Sequence, residues 1–144
     1  MDQFFTIAKG RWVQWFLDAP SSAGLALLKV AQAEGSLVDH DDLAALLAGG
    51  NTEANFTNYA RKTAIPITIT VDDVNNRVDG DLADQTFALA GGATNNDLVK
   101  AVIYCQFSAS DAQRRPVTHH DFVATTDGND LSALISAAGF GRSQ

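Results

Sequence analysis

Between residues 65 and 82 the chain reads Ile65-Pro66-Ile67-Thr68-Ile69-Thr70-Val71-Asp72-Asp73-Val74-Asn75-Asn76-Arg77-Val78-Asp79-Gly80-Asp81-Leu82. Its first half alternates apolar residues with proline or threonine, a period of two that predicts a β-strand with one face in the core and one in water. Pro66 cannot donate a hydrogen bond to a sheet, which places it at the beginning of the strand or on an edge. Aspartate and asparagine favour the turn that follows, so the stretch predicts a β-hairpin.

Further strands are predicted on both sides of this hairpin. The run from Leu98 to Phe107 is long and apolar enough for a central strand that is buried on both faces. Residues 25–31 and 117–126 also predict strands, and residues 39–50 predict a short helix with aspartates at its start and glycines at its end. Turn residues recur about every ten residues, which favours an antiparallel β-sandwich or jelly-roll-like single domain with one or two short helices.

Two later segments carry weaker signals. Residues 108–116 predict a polar loop that contains Arg114 and Arg115. Residues 129–138 fit either a capped helix ending at Gly139 or a strand, because their apolar residues satisfy both periods.

The beginning of the chain is rich in aromatic side chains, which are Phe4, Phe5, Trp12, Trp15 and Phe16. Trp12, Trp15 and Phe16 have the spacing of one helical face. We therefore divide the chain into an aromatic arm or short helix, residues 1–20, and a β-sandwich domain, residues 21–144. Two alternatives remain for the aromatic side chains: they close one end of the chain's own core, or they dock on a neighbouring subunit, since large aromatics anchor interfaces.

The composition limits the possible function classes. The 17 acidic residues outnumber the 10 basic ones and give a net charge of −7, which argues against a nucleic-acid partner. The single cysteine, Cys105, excludes an intrachain disulfide framework, and its apolar neighbours predict a buried side chain in a protein made in a reducing cytoplasm. No apolar stretch approaches the ~20 residues of a membrane helix and no signal peptide is recognisable, so we expect neither membrane insertion nor conventional secretion.

Groups that could carry chemistry are not arranged in a recognisable constellation. The three aspartates and His40 within residues 39–42 fit a helix start better than a metal site. The aspartates within residues 72–84 lack the closing glutamate of a calcium loop and fit a solvated face. His119 and His120 are adjacent on a predicted strand and point to opposite faces, and no Gly-x-Ser-x-Gly motif supplies a nucleophile for them. We expect no metal, no cofactor and no enzymatic activity.

Several turn and strand motifs together resemble a known class of proteins. The motifs are Gly49-Gly50-Asn51-Thr52-Glu53-Ala54-Asn55-Phe56-Thr57-Asn58-Tyr59-Ala60-Arg61-Lys62, Val71-Asp72-Asp73-Val74-Asn75-Asn76-Arg77-Val78, Asp81-Leu82-Ala83-Asp84-Gln85-Thr86-Phe87, Thr118-His119-His120-Asp121-Phe122 and Asp127-Gly128. They resemble small proteins encoded in the head-structural modules of tailed bacteriophages, which look like capsid decoration, or cement, proteins. The resemblance covers roughly residues 25–140 and carries no catalytic residues.

This resemblance implies a β-sandwich or jelly-roll that oligomerises, as a dimer or trimer, on the outer shell and ties neighbouring major capsid proteins together. The chain would then be made in the host cytoplasm and end on the capsid surface of the virion. The resemblance also favours a strand over residues 131–135. The residues selected for docking are Phe4, Phe5, Trp12, Trp15 and Phe16, with Arg114 and Arg115 as rim charges.

Two other functions are consistent with the sequence. A head-to-tail connector or tail component would differ from a decoration protein mainly in copy number. A carbohydrate-binding β-sandwich module would use Trp12 and Trp15 as a platform on which sugars stack.

Overall fold

A computed structural model describes residues 3–20 and 22–143; the remaining residues of the predicted arm and domain, 1, 2, 21 and 144, lie outside it. Strands account for 42% of the residues and helices for 16%, so the prediction of a mainly β, antiparallel fold is confirmed. The described residues form three α-helices, where the sequence predicted one or two. None of these helices is long and apolar enough to cross a membrane.

The elements follow one another along the chain as short segments. The strands are β1 (Gln3–Phe4), β2 (Ala23–Val30), β3 (Thr52–Glu53), β4 (Lys62–Ile65), β5 (Ile67–Asp72), β6 (Arg77–Leu82), β7 (Gln85–Phe87), β8 (Asp97–Gln106), β9 (Arg114–Thr125), β10 (Leu131–Ala133) and β11 (Gly141–Ser143). The helices are α1 (Trp12–Asp18), α2 (Glu34–Leu37) and α3 (Leu43–Ala48), with single 3-10 turns at Thr6–Ala8 and Asp111–Gln113.

The largest sheet, here called the main sheet, has the order β1-β9-β8-β2-β3, and β4 also pairs with β2. β8 lies in its middle, between β9 and β2, which confirms the predicted central strand. The sequence explains this position, because β8 contains the apolar run Ala101–Cys105, and its side chains from Lys100 to Cys105 are all buried.

The pairing register defines the two faces of the main sheet. Ile103 lies opposite both Leu25 of β2 and Thr118 of β9, and Ala101 lies opposite His120, so these side chains share the first face. Lys100 lies opposite Asp121 on the second face, where α2 approaches through the ion pair between Lys100 and Glu34.

A second layer covers the first face. It contains the three-stranded sheet β11-β6-β5, in which β5 and β6 form the predicted hairpin around Asn76, whose φ is 51°. Phe140 joins this layer by donating its backbone N–H to the carbonyl of Gly80 over 2.9 Å. The two layers give the chain a sandwich-like architecture.

Pro66 divides the predicted strand of residues 65–71 between the two sheets. β4 ends at Ile65 and pairs with β2, whereas β5 begins at Ile67 and pairs with β6. The missing N–H of proline explains the break. The predicted alternation in burial also weakens along the segment, since Ile65 is 4% exposed and Val71 is 65% exposed.

Both predicted helices form. In α3 the Oδ1 of Asp42 accepts a hydrogen bond from the N–H of Ala45 over 2.8 Å, and the chain leaves the helix through Gly50 at a φ of 102°. In α1 the spacing of Trp12 and Phe16 by four residues puts both side chains on the buried face.

One boundary differs from the sequence predictions, and one open alternative is decided in favour of the strand that the resemblance favoured over residues 131–135. β9 begins at Arg114, so Arg114 and Arg115 belong to a strand and not to a loop. The ambiguous segment forms the strand β10 at Leu131–Ala133, where it pairs with β7 and does not continue as a helix.

The substitution Gly24→Ala is expected to lower the free energy of unfolding by about 1–3 kcal/mol through overpacking. Gly24 of β2 lies opposite Tyr104 of β8, and a Cβ atom on it would stand 2.1 Å from Cζ of that fully buried ring. Urea denaturation would measure the loss. Gly35→Ala is the control, because its Cβ position has no atom of the described residues within 4 Å apart from its chain neighbours and its own helix backbone. Equal losses in the two variants would contradict the prediction.

Candidate interaction surface

The aromatic residues selected from the sequence divide into buried and accessible side chains. Phe5 and Phe16 are fully buried and Trp12 is 1% exposed. Trp12 contacts the rings of Phe4 and Phe140, with centroids 5.6 and 5.8 Å apart. The alternative in which the aromatic side chains close the chain's own core thus applies to Phe5, Trp12 and Phe16. In this fold these side chains are not exposed to a partner.

The accessible aromatic side chains lie at one end of β8. Trp15 sits on the flank of α1, half-buried, and meets the ring of Phe107 edge-on with the centroids 5.9 Å apart. Phe107 directly follows β8 and is 48% exposed. We call Trp15 and Phe107 the aromatic pair. Phe107 was not selected from the sequence, although its position before the polar stretch Ser108-Ala109-Ser110 was a signal that the buried strand ends there.

The aromatic pair is held on a rigid base. Trp15 is flanked in α1 by the buried side chains of Trp12 and Phe16, and the backbone N–H of Phe107 donates to the carbonyl of Gln113 over 3.2 Å. Rigid aromatic side chains lose little conformational entropy when they bind, which suits them to anchor an interface.

Arg114 and Arg115 are both engaged within the chain. Nη1 of Arg114 lies 2.7 Å from Oδ1 of Asp111, and its guanidinium stacks over Tyr104 at 5.7 Å. Nη1 of Arg115 donates to the carbonyl of Asp41 over 3.1 Å. The arginines chosen as rim charges therefore serve first to attach β9 to its neighbours.

An ion-pair cluster that the sequence did not reveal lies beside Arg114. Nε and Nη2 of Arg61 each lie 2.6 Å from a carboxylate oxygen of Glu53, and the same guanidinium contacts Asp111. The hydrogen bonds to Glu53 raise the pKa of Arg61, and those from Arg61 lower the pKa of Asp111. The cluster joins β3 to the turn before β9, so its role is to hold these parts of the fold together.

His119 and His120 lie on opposite faces of β9, as predicted from their adjacency. His119 is fully buried, its ring meets Phe5 edge-on at 5.7 Å, and neither ring nitrogen has a hydrogen-bond partner among residues 3–20 and 22–143. Burial, with the nearby positive charge of Lys100, lowers the pKa of His119 to about 4.

Lys100 forms ion pairs with Asp121 and Glu34 on the second face of the main sheet. Burial alone would lower the pKa of Lys100, but the hydrogen bonds with these two carboxylates outweigh it and raise the pKa. The bond from Lys100 also lowers the pKa of Asp121 to about 2. A lysine held in its charged form lacks the free electron pair of a nucleophile.

A cleft of about 370 Å³ lies between the first face of the main sheet and the segment from Ala133 to Phe140. Its lining includes His120, Phe122 and Ser136. Nε2 of His120 lies 2.9 Å from Oγ1 of Thr118, whereas Ser136 accepts the N–H of Ala138, and no hydrogen bond joins Ser136 to His120 in the described part of the chain. Within residues 3–20 and 22–143, the contacts of His120 and Ser136 thus differ from the nucleophile–imidazole hydrogen bond that acyl transfer uses.

The remaining groups with potential chemistry are accounted for by the fold. Cys105 is buried 3.3 Å from Oγ of Ser22, and burial raises the pKa of its thiol, so the predicted buried cysteine is confirmed. Within residues 3–20 and 22–143, no group of three or more histidine, cysteine or acidic side chains is placed to hold a metal ion.

Comparison of the chain with known proteins found no match. No protein-family model matches the chain. No curated protein sequence and no solved structure matches it either.

Proposed function

We propose that the chain is a capsid decoration protein of a tailed bacteriophage, which acts by binding and not by catalysis. It would attach to the outer surface of the capsid, bridge major capsid proteins and so stabilise the shell. The motif resemblance described above suggests this class. The observation that carries the proposal is the aromatic pair, in which the half-buried Trp15 meets the exposed ring of Phe107.

The pair would act as the anchor of the docking surface. Aromatic residues supply large contact areas and dominate the binding energy of many interfaces. The moderate affinity of one such anchor is sufficient on a shell, because many copies bound side by side reinforce one another. Phe4 is the other accessible member of the selected set, half-buried at the edge of the main sheet.

Substitution of the aromatic pair tests the docking surface. Trp15→Ala and Phe107→Ala are each expected to weaken binding to capsids of the encoding phage at least tenfold, about 1.4 kcal/mol, because truncated interface anchors cost this much or more. A pull-down of capsids that lack the protein, with each variant titrated, gives the measurement. Leu134→Ala is the control, since Leu134 is 75% exposed but lies in the segment after β10.

The control must bind as the unaltered chain does. Thermal unfolding of all three variants would establish that they remain folded. Equal binding by Trp15→Ala, Phe107→Ala and the unaltered chain would overturn the docking surface.

Copy number distinguishes the decoration protein from the connector alternative. Quantitative gel densitometry of purified particles is expected to give hundreds of copies spread over the shell, whereas a connector or tail component forms a single ring of about a dozen or fewer. Absence from particles would overturn both roles.

The carbohydrate-binding alternative required Trp12 and Trp15 to form one stacking platform. Trp12 is 1% exposed and cannot form such a platform with Trp15.

A further inference from the structure

Two basic side chains, Lys9 and Arg11, are without a partner in the described part of the chain. Within residues 3–20 and 22–143, every other lysine and arginine has a hydrogen bond, an ion pair or a ring contact. Both Lys9 and Arg11 are exposed. In a chain with 17 acidic and 10 basic residues, an arginine that is not paired with a carboxylate of its own chain is available to one on another molecule.

The two cations lie on different sides of the start of α1. Lys9 lines a cleft of about 220 Å³ together with Phe4 and Trp12, and Trp12 belongs to the buried face of the helix. Arg11 directly precedes α1, and its carbonyl accepts the N–H of Trp15 over 3.1 Å. Arg11 and Trp15 are thus one helical turn apart and share one side of α1, where side chains of this spacing have their Cβ atoms roughly 5–6 Å apart.

We propose that Arg11 forms an ion pair with a carboxylate of the major capsid protein, beside the place where the aromatic pair docks. This inference rests on the proposed function and deepens it, because it gives the partner an apolar contact for Trp15 and Phe107 with an aspartate or glutamate at its edge. Arginine suits this role, since its planar fork binds a carboxylate through two parallel hydrogen bonds. Arg11 would then be the rim charge that Arg114 and Arg115, which are engaged within the chain, do not supply.

The surroundings of Arg11 are compatible with this pairing. Its backbone, and not its side chain, joins it to the fold, because its N–H donates to the carbonyl of Ala8 and its carbonyl accepts from Trp15. The acidic side chain of α1 is Asp18, which accepts a hydrogen bond from Nε2 of Gln14 over 2.7 Å. The seven residues of helix from Arg11 to Asp18 span roughly 10 Å, about one Debye length at ~0.1 M salt, so Asp18 compensates little of the charge of Arg11.

Charge reversal in the capsid pull-down tests the ion pair. Arg11→Glu is expected to weaken binding to capsids of the encoding phage at least about tenfold, because it brings two carboxylates together in place of an ion pair. Lys29→Glu is the matched control, since it changes the net charge by the same amount, and it should bind as the unaltered chain does. Lys29 lies near the far end of β2, whose first residue is opposite the end of β8 that Phe107 follows. The intervening strand puts it roughly 20 Å from that end.

The dependence of binding on salt gives an independent readout. Binding of the unaltered chain should weaken as the NaCl concentration rises, and Arg11→Gln, which removes the charge without reversing it, should flatten this dependence. Trp15→Ala should weaken binding at every NaCl concentration and keep the dependence. Thermal unfolding of the Arg11 and Lys29 variants establishes that they remain folded.

Two results would each contradict the ion pair. One is binding of Arg11→Glu as tight as that of Lys29→Glu, and the other is equal salt dependence of Arg11→Gln and the unaltered chain. Either result would leave the docking of the aromatic pair standing if Trp15→Ala still bound more weakly. Failure of the proposed function is distinguishable, because the unaltered chain itself would then not bind capsids.

Discussion

Trp12→Ala is expected to lower the free energy of unfolding by about 3–5 kcal/mol, the usual cost of removing a large aromatic side chain from a core. Trp12 is 1% exposed, and it packs between Phe4 and Phe140 beside the backbone of Gly80. The cavity left by the alanine would open the junction between α1, the hairpin layer and the main sheet. Urea denaturation followed by circular dichroism would measure the loss.

Trp15→Ala is the matched control for this experiment. Trp15 lies in the same helix and loses the same atoms, but its side chain is half-buried and contacts the exposed ring of Phe107. We expect this variant to lose clearly less stability than Trp12→Ala. If both variants lost the same amount, the assignment of Trp12 to the core and of Trp15 to the surface would be contradicted.

Lowering the pH from about 6.5 to about 4 is expected to remove about 3 kcal/mol of stability through His119. The folded chain holds the pKa of His119 at about 4, because the ring is buried and Lys100 repels its protonated form. The unfolded chain takes up the proton near pH 6.5. The contribution of neutral His119 to the free energy of unfolding is therefore fully present above about pH 6.5, and it is lost as the pH falls from about 6.5 to about 4.

His119→Leu isolates this effect, since leucine has a similar volume and needs no hydrogen-bond partner. The difference in unfolding free energy between the unaltered chain and the variant should shrink or change sign in the variant's favour as the pH falls from 7 to 4. The other groups that act on His119 are Lys100, Glu34 and His120, and all three are common to both proteins. The hydrogen bond between Lys100 and Glu34 raises the pKa of the former and lowers that of the latter. Parallel pH profiles would contradict the assignment.

The sequence predicted elements whose signals are local. Alternation and turn chemistry within residues 65–82 were sufficient for the hairpin, and the continuous apolar run identified β8 as the central strand. The N-cap at Asp42 likewise lies beside the helix that it begins. In each case the residues that determine the element are its own or its neighbours.

Features that depend on distant partners could not be predicted. Pro66 indicates locally that a strand begins or that an edge lies there, but nothing local shows that β4 and β5, on its two sides, join different sheets. The spacing of Trp12, Trp15 and Phe16 predicts a helical face but not how much of that face the rest of the fold covers.

The Arg61 cluster was missed for the same reason. The whole of β4 to β8 lies between Glu53 and Asp111 in the sequence, and the two carboxylates meet at one guanidinium only after the sheet has formed. For the candidate surface, the sequence supplied Trp15. It marked the end of the buried strand at Phe107, but the contact between Phe107 and Trp15 depends on the tertiary structure.

The pairing of β1 with β9 joins Gln3 to His119, and it has a consequence for the time course of folding. A ribosome that adds about 5–20 residues per second releases α1 roughly 5–20 s before β9 exists. During that interval Phe5, Trp12 and Phe16 are without the strands that bury them. Helices and hairpins can form early, but the aromatic side chains of the nascent chain stay exposed until its last strands emerge. During this time, chaperones or rapid closure of the sheet must protect the segment from aggregation with other chains.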